Sequence, residues 1–372
     1  MKRLILLGGG HAHVHVLSQL GLQPMPGVDV VLVSAYEQQL YSGMLPGLVA
    51  GHYVKEQLAI DLRRLCANAH AEFTPETATS IDAGQRLVTL ADGRSAQYDV
   101  LSLDIGSAMD RDAIRGAREH ALFVRPIEHF ARLVDGVFEY AAQKVLDLVV
   151  VGGGAAGFEM AMAFAWRLGL PPGERARISL VAGEPGLLPM YPPRVRERAH
   201  EMLRQARVTV LNQHCLEITG THAVLTNGAR LACDVPVIAT AGGPNPLLQH
   251  SGLQLNEAGY VVSGATLQSV SHPNVFAVGD TAARDDLALP KSGVYAVRAG
   301  PTLAFNLRRF LAGGTLQRWQ PSLRSLSLLS CGDRTAIASW GEWSAQGRWA
   351  WWWKDRIDRA FVARYSGPKV NA

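Results

Sequence analysis

Two short stretches hold the residues best placed to do chemistry. The first is Gly8-Gly9-Gly10-His11-Ala12-His13, which follows the apolar run Leu4-Ile5-Leu6-Leu7 and leads into Val14, Leu17 and Leu20 at helical spacing. The second is Gly152-Gly153-Gly154-Ala155-Ala156-Gly157, which follows Leu148-Val149-Val150-Val151 and leads into Phe158 and Glu159. An apolar strand, a glycine turn and a helix start are the parts that hold a dinucleotide. The glycines let the backbone approach a pyrophosphate, and the free N–H groups of the helix start face its charge. The second copy keeps Gly152, Gly154 and Gly157, whereas the first keeps Gly8 and Gly10 and puts His13 in the third place. A chain with two such turns has room for two dinucleotides.

Other chemistry-bearing residues follow buried strands. Asp104-Ile105-Gly106-Ser107 leaves the run Asp99 to Leu103, and Thr240-Ala241-Gly242-Gly243 leaves Val235 to Ala239. Small residues at a strand exit admit a ligand or a neighbouring loop. Val275-Phe276-Ala277-Val278 runs into Gly279-Asp280, where the aspartate can accept ribitol or ribose hydroxyls or cap the next segment. Lys291-Ser292-Gly293 precedes a helix expected from Val294 to Phe310, with its positive end free to face an anion. Ser34 stands where an acid normally ends the second strand. Its hydroxyl can make one ribose hydrogen bond but brings no charge. The segment from Tyr41 to Gly51 reads either as a loop feeding a helix at Leu58 to Leu65 or as a wall beside an apolar cofactor ring.

Strands and helices alternate around these residues. Strands are expected at Val28 to Val33, Tyr98 to Leu103, Arg177 to Val181 and Val208 to Leu211. Helices are expected at Ile127 to Tyr140, Phe158 to Leu168 and Pro193 to Gln205, with a loop at Pro171-Pro172-Gly173. That alternation implies an α/β protein with parallel sheets covered on both faces. From about Trp319 the character changes. Strands are expected at Leu323 to Leu329, Thr335 to Trp340 and Arg348 to Trp353, with turns at Gly332-Asp333 and Gln346-Gly347, then a helix with Ile357, Phe361 and Tyr365 on one side. A strand's period of two would put Trp349, Trp351 and Trp353 on one face. This tail reads as a sheet packing on the body or on a second copy in a homodimer. Alternatively, aromatic residues beside Lys354, Arg356 and Arg359 suit a membrane surface.

Length and composition set the bounds. The 372 residues exceed one typical domain, and 48% apolar against 18% charged residues supports sizeable cores. A net charge of +4 without a long basic run gives no sign of a nucleic-acid partner. Cys66, Cys215, Cys233 and Cys331 are widely spaced, with no C-x-x-C and no zinc spacing, which suits a reduced cytoplasmic chain. A strand beginning within three residues of the N-terminus leaves no signal peptide expected. No apolar run reaches the ~18 residues of a membrane span, so any membrane contact is expected to be peripheral, at the inner face. His11 and His15 lie one helical turn apart but make only half a typical metal site, so no metal is expected.

In their order and spacing, residues 1 to 310 resemble the two-dinucleotide flavoproteins of the pyridine nucleotide-disulfide oxidoreductase superfamily. Within it they are similar to type II NADH dehydrogenases. They are closer still to the NADH-dehydrogenase-like module found fused to selenophosphate synthase, for which His11-Ala12-His13-Val14-His15 and Tyr41-Ser42-Gly43-Met44-Leu45-Pro46-Gly47 are typical. The resemblance implies an FAD domain split over 1–115 and 262–315, an inserted NAD(P)H domain over 116–261, and a small α+β region over 316–372. FAD would lie on Gly8, Gly10, His11, Ala12, His13, Ser34, Gly106, Ser107, Gly279, Asp280, Lys291, Ser292 and Gly293. NAD(P)H would lie on Gly152, Gly154, Ala155, Ala156, Gly157, Glu159 and Gly242.

Glu184, near the end of its strand, tips the donor toward NADH; Arg194, Arg196 and Arg198 would serve a 2′-phosphate instead. Glu159 matches a glutamate near the nicotinamide, and Lys291 or the helix start after it would stabilise reduced flavin; these are the expected catalytic residues. The family's disulfide is missing, since its position carries Tyr41, Ser42 and Gly43. Ala296-Val297-Arg298-Ala299-Gly300 also lacks the glutamine of the quinone signature. The expected activity is hydride transfer from NAD(P)H to FAD, then electron transfer to a quinone-like or other small acceptor. The alternatives are a soluble reductase of selenium or sulfur compounds or of a small redox protein, and a flavin redox sensor without turnover.

Overall fold

In the computed structural model, residues 1–169 and 175–367 are described; the expected loop at Pro171-Pro172-Gly173 lies outside them. The chain starts with β1 (Lys2–Leu7), α1 (His11–Leu22) and β2 (Val28–Val33), then α2 (Leu62–Asn68), β3 (Glu72–Thr74) and β4 (Val100–Leu103). A second set follows: β5 (Leu122–Phe123), α3 (Ile127–Ala141), β6 (Leu146–Val151), α4 (Ala155–Leu168), β7 (Ala176–Val181), α5 (Pro193–Gln205), β8 (Thr209–Leu211) and β9 (Val235–Ile238). The chain then returns with β10 (Val275–Ala277) and α6 (Gly293–Leu311). It closes with β11 (Ser327–Ser330), β12 (Ala336–Trp340), β13 (Trp343–Gly347) and α7 (Arg348–Ser366).

Two five-stranded parallel sheets carry the architecture, in the orders β10-β4-β1-β2-β3 and β5-β9-β6-β7-β8. In each, the strand before a glycine turn is central. Its chain successor lies on one side, and a strand contributed much later lies on the other. The strand order therefore reverses beside the glycine turn, which is where open α/β sheets form a ligand crevice. β1 and β6 are nearly all apolar because both faces are covered: Leu4, Ile5, Leu6, Leu148 and Val150 are fully buried.

The two strand exits meet in space. Ala108 donates its N–H to the Gly243 carbonyl at 3.0 Å, and Gly243 returns one to Ala108 at 2.8 Å. A Cβ on Gly242 would collide with the Ser107 side chain, so glycine there permits the close approach.

The tail differs from the expected three strands and a helix. Its antiparallel sheet is β11-β12-β13, with Leu328 opposite Ala338 and Trp340 opposite Trp343, so Gln346-Gly347 lies in a strand rather than a turn. Residues Arg348 to Trp353 are not a strand but the first turns of α7. Alternating tryptophans imitate a strand's period. The buried and half-buried residues Ala350, Trp351, Lys354, Asp355, Asp358, Phe361, Val362 and Tyr365 step at helical spacing, and the ion pairs Lys354–Asp358 and Asp355–Arg359 are each four residues apart. Ile357, expected on the inner side, is exposed. The expected helix at Leu58 to Leu65 begins only at Leu62, where Asp61 accepts the Arg64 N–H as N-cap.

The tail packs on the body and joins its two halves. Phe361, Val362 and Tyr365 enter the core around β1 and α1, whereas Leu329, Cys331 and Ile337 enter the core around β6 and α4.

Candidate functional site

A cleft of about 600 Å³ opens at the carboxyl ends of β1, β2 and β4. Of the expected FAD residues, Gly8, Gly10, His11, Ser34, Gly106, Ser107, Asp280 and Gly293 line it. The others lie elsewhere. Ala12 and His13 are fully buried behind the glycine turn. Gly279, Lys291 and Ser292 line a neighbouring pocket of about 550 Å³ that shares Asp280 with the cleft.

His13 solves the problem that a missing third glycine creates. Its ring lies between the glycine turn and β4, with Nδ1 2.6 Å from the Gly8 carbonyl and Nε2 2.8 Å from Ser102 Oγ. A carbonyl only accepts, so Nδ1 carries the proton and Nε2 accepts from the serine hydroxyl. Burial lowers the ring's pKa to about 4, against a smaller upward pull from the Gly8 carbonyl, so it stays neutral.

His11 is also neutral, lowered to about 4 by burial. Its Nδ1 is 2.9 Å from the Gln39 amide nitrogen, and its ring stacks near Tyr41 and Phe361. With the amide donating to Nδ1, the ring proton is on Nε2. That donor and Gln39 Oε1 are buried without a partner in the cleft wall. His15 turns the other way, to the Tyr365 hydroxyl at 3.1 Å, so the two histidines do not converge. Among the described residues there is no group of three metal-ligating side chains.

The sequence reading missed Arg125 and the part played by Asp104. Arg125 reaches Ser107 and lies 3.2 Å from Asp280, bringing a cation to the cleft. In the sequence Asp104 stands only at a strand exit. Its Oδ2 accepts the Ala12 N–H at 2.8 Å and the His13 N–H at 3.1 Å, so a carboxylate already sits on the start of α1. No motif could have shown either, because each depends on residues far apart in the chain. Ser34 lines the cleft, but its hydroxyl is engaged with the Tyr36 backbone. Lys291 lies over the Tyr260 ring, 3.7 Å from its centre, and bonds the Ala282 carbonyl. Burial lowers its pKa to about 8, against Asp280.

At the second turn, α4 starts at Ala155 with no side chain capping it, and the space around Gly154 is open. A Cβ on Gly157 would strike the Gly152 carbonyl, so this glycine sets the close packing of helix on strand. Glu159 lies one turn on, beneath the tail: its Oε1 accepts the Ser330 N–H at 2.8 Å. Burial raises its pKa to about 7, opposed by Lys354 and the Ser330 N–H.

Lys354 links the two halves. Its ammonium bonds the Gly43 carbonyl at 2.5 Å and Asp358 at 2.7 Å. Burial works to lower its pKa, but Asp358 and Glu159 outweigh that and raise it. Gly242, expected at the second site, follows the strand beside β6 and lies against Ser107 of the first cleft. Glu184 follows β7, its N–H directed at His214 Nε2, 3.4 Å away, whereas Arg198 turns toward Ser344 of β13.

Residues 2–302 match the family model described as pyridine nucleotide-disulphide oxidoreductase. The chain belongs to this family. Its members use FAD and NAD(P)H. The chain is 26% identical over 344 residues to a demethylphylloquinone reductase of Synechocystis, covering 88% of this chain and 84% of that protein. It is 28% identical over 295 residues to a CoA-dependent NAD(P)H sulfur oxidoreductase of Pyrococcus abyssi. That match covers 76% of this chain and 63% of the relative, so it spans less than two thirds of that protein. The fold matches the sulfide:quinone oxidoreductase of Aquifex aeolicus with a TM-score of 0.81 at 17% identity, over 98% of this chain and 92% of that one.

The family's disulfide has no counterpart in the cleft. All four cysteines are buried and unpaired, and burial pushes Cys66, Cys233 and Cys331 up to about 12 and Cys215 to about 11. None is a thiolate near neutral pH.

His13→Gly would complete the glycine fingerprint on paper. It would also empty the space the ring fills and leave Ser102 and the Gly8 carbonyl without their partner. The expected result is a loss of about 2–4 kcal/mol in stability, read by denaturant unfolding, rather than a gain.

Proposed function

We propose that the chain is an FAD-dependent NAD(P)H dehydrogenase that passes electrons directly from flavin to a quinone-like small acceptor. The observation that carries this reading is the bridge made by Lys354. It bonds Gly43, beside the first cleft, and stands in the field of Glu159, one turn into the helix of the second glycine motif.

FAD fits the first cleft. The unpartnered His11 Nε2 and Gln39 Oε1 are a donor and an acceptor waiting in its wall, and Asp280 and Arg125 offer an acceptor and a cation. FAD would supply hydride acceptance at N5 and electron transfer onward. The chain's own residues position and protonate. The turns at Gly8 to Gly10 and Gly152 to Gly157 would take the two diphosphates, Asp280 would take ribitol hydroxyls, and Gly293, in the cleft wall at the start of α6, would adjoin the ring. Lys291, one pocket away, would act on the flavin only through its field, beside Asp280. NADH is favoured over NADPH because Glu184 is the charged residue nearest the end of β7 in sequence and Arg198 is turned away.

With no thiolate near the cleft, the acceptor is reduced by the flavin itself. Five exposed tryptophans, Trp340, Trp343, Trp349, Trp352 and Trp353, lie on the outer side of β12, β13 and α7, with Arg356 over Trp352. That face supports contact with a membrane surface, where a quinone is found. Among the described residues no helix is long and apolar enough to cross a membrane. Flotation with liposomes containing anionic lipid should carry the protein upward. Exchanging Trp349, Trp352 and Trp353 for serine should leave it at the bottom, and equal flotation of both would remove this face from the reading.

The decisive experiment is anaerobic. The purified protein should be yellow, bleach on addition of NADH faster than with NADPH, and recover its colour with a short-chain quinone. Recovery only with polysulfide or a selenium compound would replace quinone as the acceptor class. Bleaching without recovery by any acceptor would support a sensor, and absence of flavin after reconstitution with FAD would end the proposal.

Glu159 is the proton source for the acceptor in this reading. Its acid form predominates below about pH 7, so reoxidation of the reduced protein by quinone should slow as pH rises through 7. Glu159→Gln should flatten that profile while leaving bleaching by NADH. An unchanged profile would exclude Glu159.

A further inference from the structure

A helix start that receives a diphosphate normally presents free N–H groups and the positive end of the helix dipole. Here two of those groups are already taken. Asp104, at the end of β4, is buried and holds Oδ2 against the N–H groups of Ala12 and His13. The neighbouring backbone is shaped around it. A Cβ on Gly10 would collide with the carboxyl group, and one on Gly279 would come within 3.1 Å of Oδ1. Gly10 therefore has a second duty beyond any ligand, which is to admit this side chain. The carboxyl also belongs to the cleft wall, so a diphosphate at the glycine turn and Asp104 would share one small positive end.

We propose that Asp104 is a positioning residue for FAD, and that FAD binding is coupled to uptake of one proton by its carboxyl group. This inference rests on the assignment of FAD to the first cleft.

The physical reason is charge. A diphosphate brings two negative charges, and an ionised Asp104 beside it would add a third in a site shielded from water. The protonated acid keeps the cap, because Oδ2 goes on accepting from Ala12 and His13. Oδ1 accepts no hydrogen bond among the described residues and is free to carry the proton.

The charged and titratable groups facing it do not relieve the repulsion. His11 and His13 on α1 are neutral by burial, and Asp280 after β10 adds negative charge. Arg125, before α3, is engaged by Ser107 and Asp280. Lys291, before α6, lies over Tyr260. Without FAD, burial chiefly, and Asp280 with it, already raise Asp104 to about 7, against the two backbone N–H bonds. The diphosphate raises it further.

The sign follows. Below pH 7 the carboxyl is protonated with or without FAD, and affinity does not change with pH. Above 7 binding must draw a proton, so affinity falls as pH rises, by at most about tenfold per pH unit for one proton.

The test uses the full chain, stripped of flavin and refilled, with FAD fluorescence quenching as the readout from pH 6 to 9. The dissociation constant should be flat to about 7 and then rise. Calorimetry at pH 8 in two buffers of different ionisation heat should count about one proton taken up. Asp104→Asn keeps an acceptor for Ala12 and His13 but cannot ionise. With Lys291 also exchanged for Met, it should bind FAD about tenfold more tightly at pH 8 than the Lys291→Met chain, with a flat profile and no proton uptake. Lys291 titrates near 8 and would also take up a proton, so both chains are compared again in a Lys291→Met background.

If Asp104→Asn keeps the parent slope there, or binds no more tightly at pH 8, the proposal is overturned. The proton count on the Lys291→Met chain, about one at pH 8, decides the matter even if the Asn variant folds poorly. If no chain binds FAD at any pH, the assignment of the cleft has failed, not the role of Asp104.

Discussion

Lys354 is the charge on which the assembly depends. A buried ammonium is held by a backbone carbonyl and a carboxylate on its own helix, and the field of a glutamate from the other half adds to them. Each partner comes from a different part of the chain: Gly43 from the segment after β2, Asp358 from α7, Glu159 from α4. Removing the lysine would leave Asp358 as an uncompensated buried carboxylate, and separating the halves would strand the lysine. The tail is therefore part of the packed body rather than an appendage.

The first glycine turn shows how a fingerprint can be altered and still hold its shape. A third glycine normally lets the helix press against its strand. His13 gives that up and substitutes two hydrogen bonds, one back to the turn and one across to β4. Asp104 adds two more from the same strand to the helix start. The α1 start is thus tied to β4 by polar contacts where the second turn relies on bare backbone packing at Gly157. Both arrangements fix the helix at its N-terminal end, one by chemistry and one by proximity.

What could be read from the sequence was local. Strand, glycine turn and helix lie within a dozen residues, so both turns and their sheets were legible, as was Gly279-Asp280. The contacts of Asp104 with Ala12, of Arg125 with Asp280 and of Lys354 with Gly43 were not, because they join residues 92, 155 and 311 positions apart. In the tail, local pattern misled. Tryptophan favours strands, and its placement at 349, 351 and 353 imitated one, while the helical stripe from Ala350 to Tyr365 was partly hidden because Lys354, Asp355 and Asp358 are polar residues turned inward. A charged residue on a buried face defeats a reading based on hydrophobic spacing, and such faces occur where side chains make specific contacts.

The paired exits of the two sheets have a mechanical consequence. Ala108 and Gly243 exchange two backbone hydrogen bonds at the mouths of both parallel sheets, with no side chain in the way because Gly242 has none. A two-bond ladder resists pulling apart but tolerates twisting about its own line. The tail, which enters both cores, ties the halves a second time, so the two strand exits are held in register from two separate places.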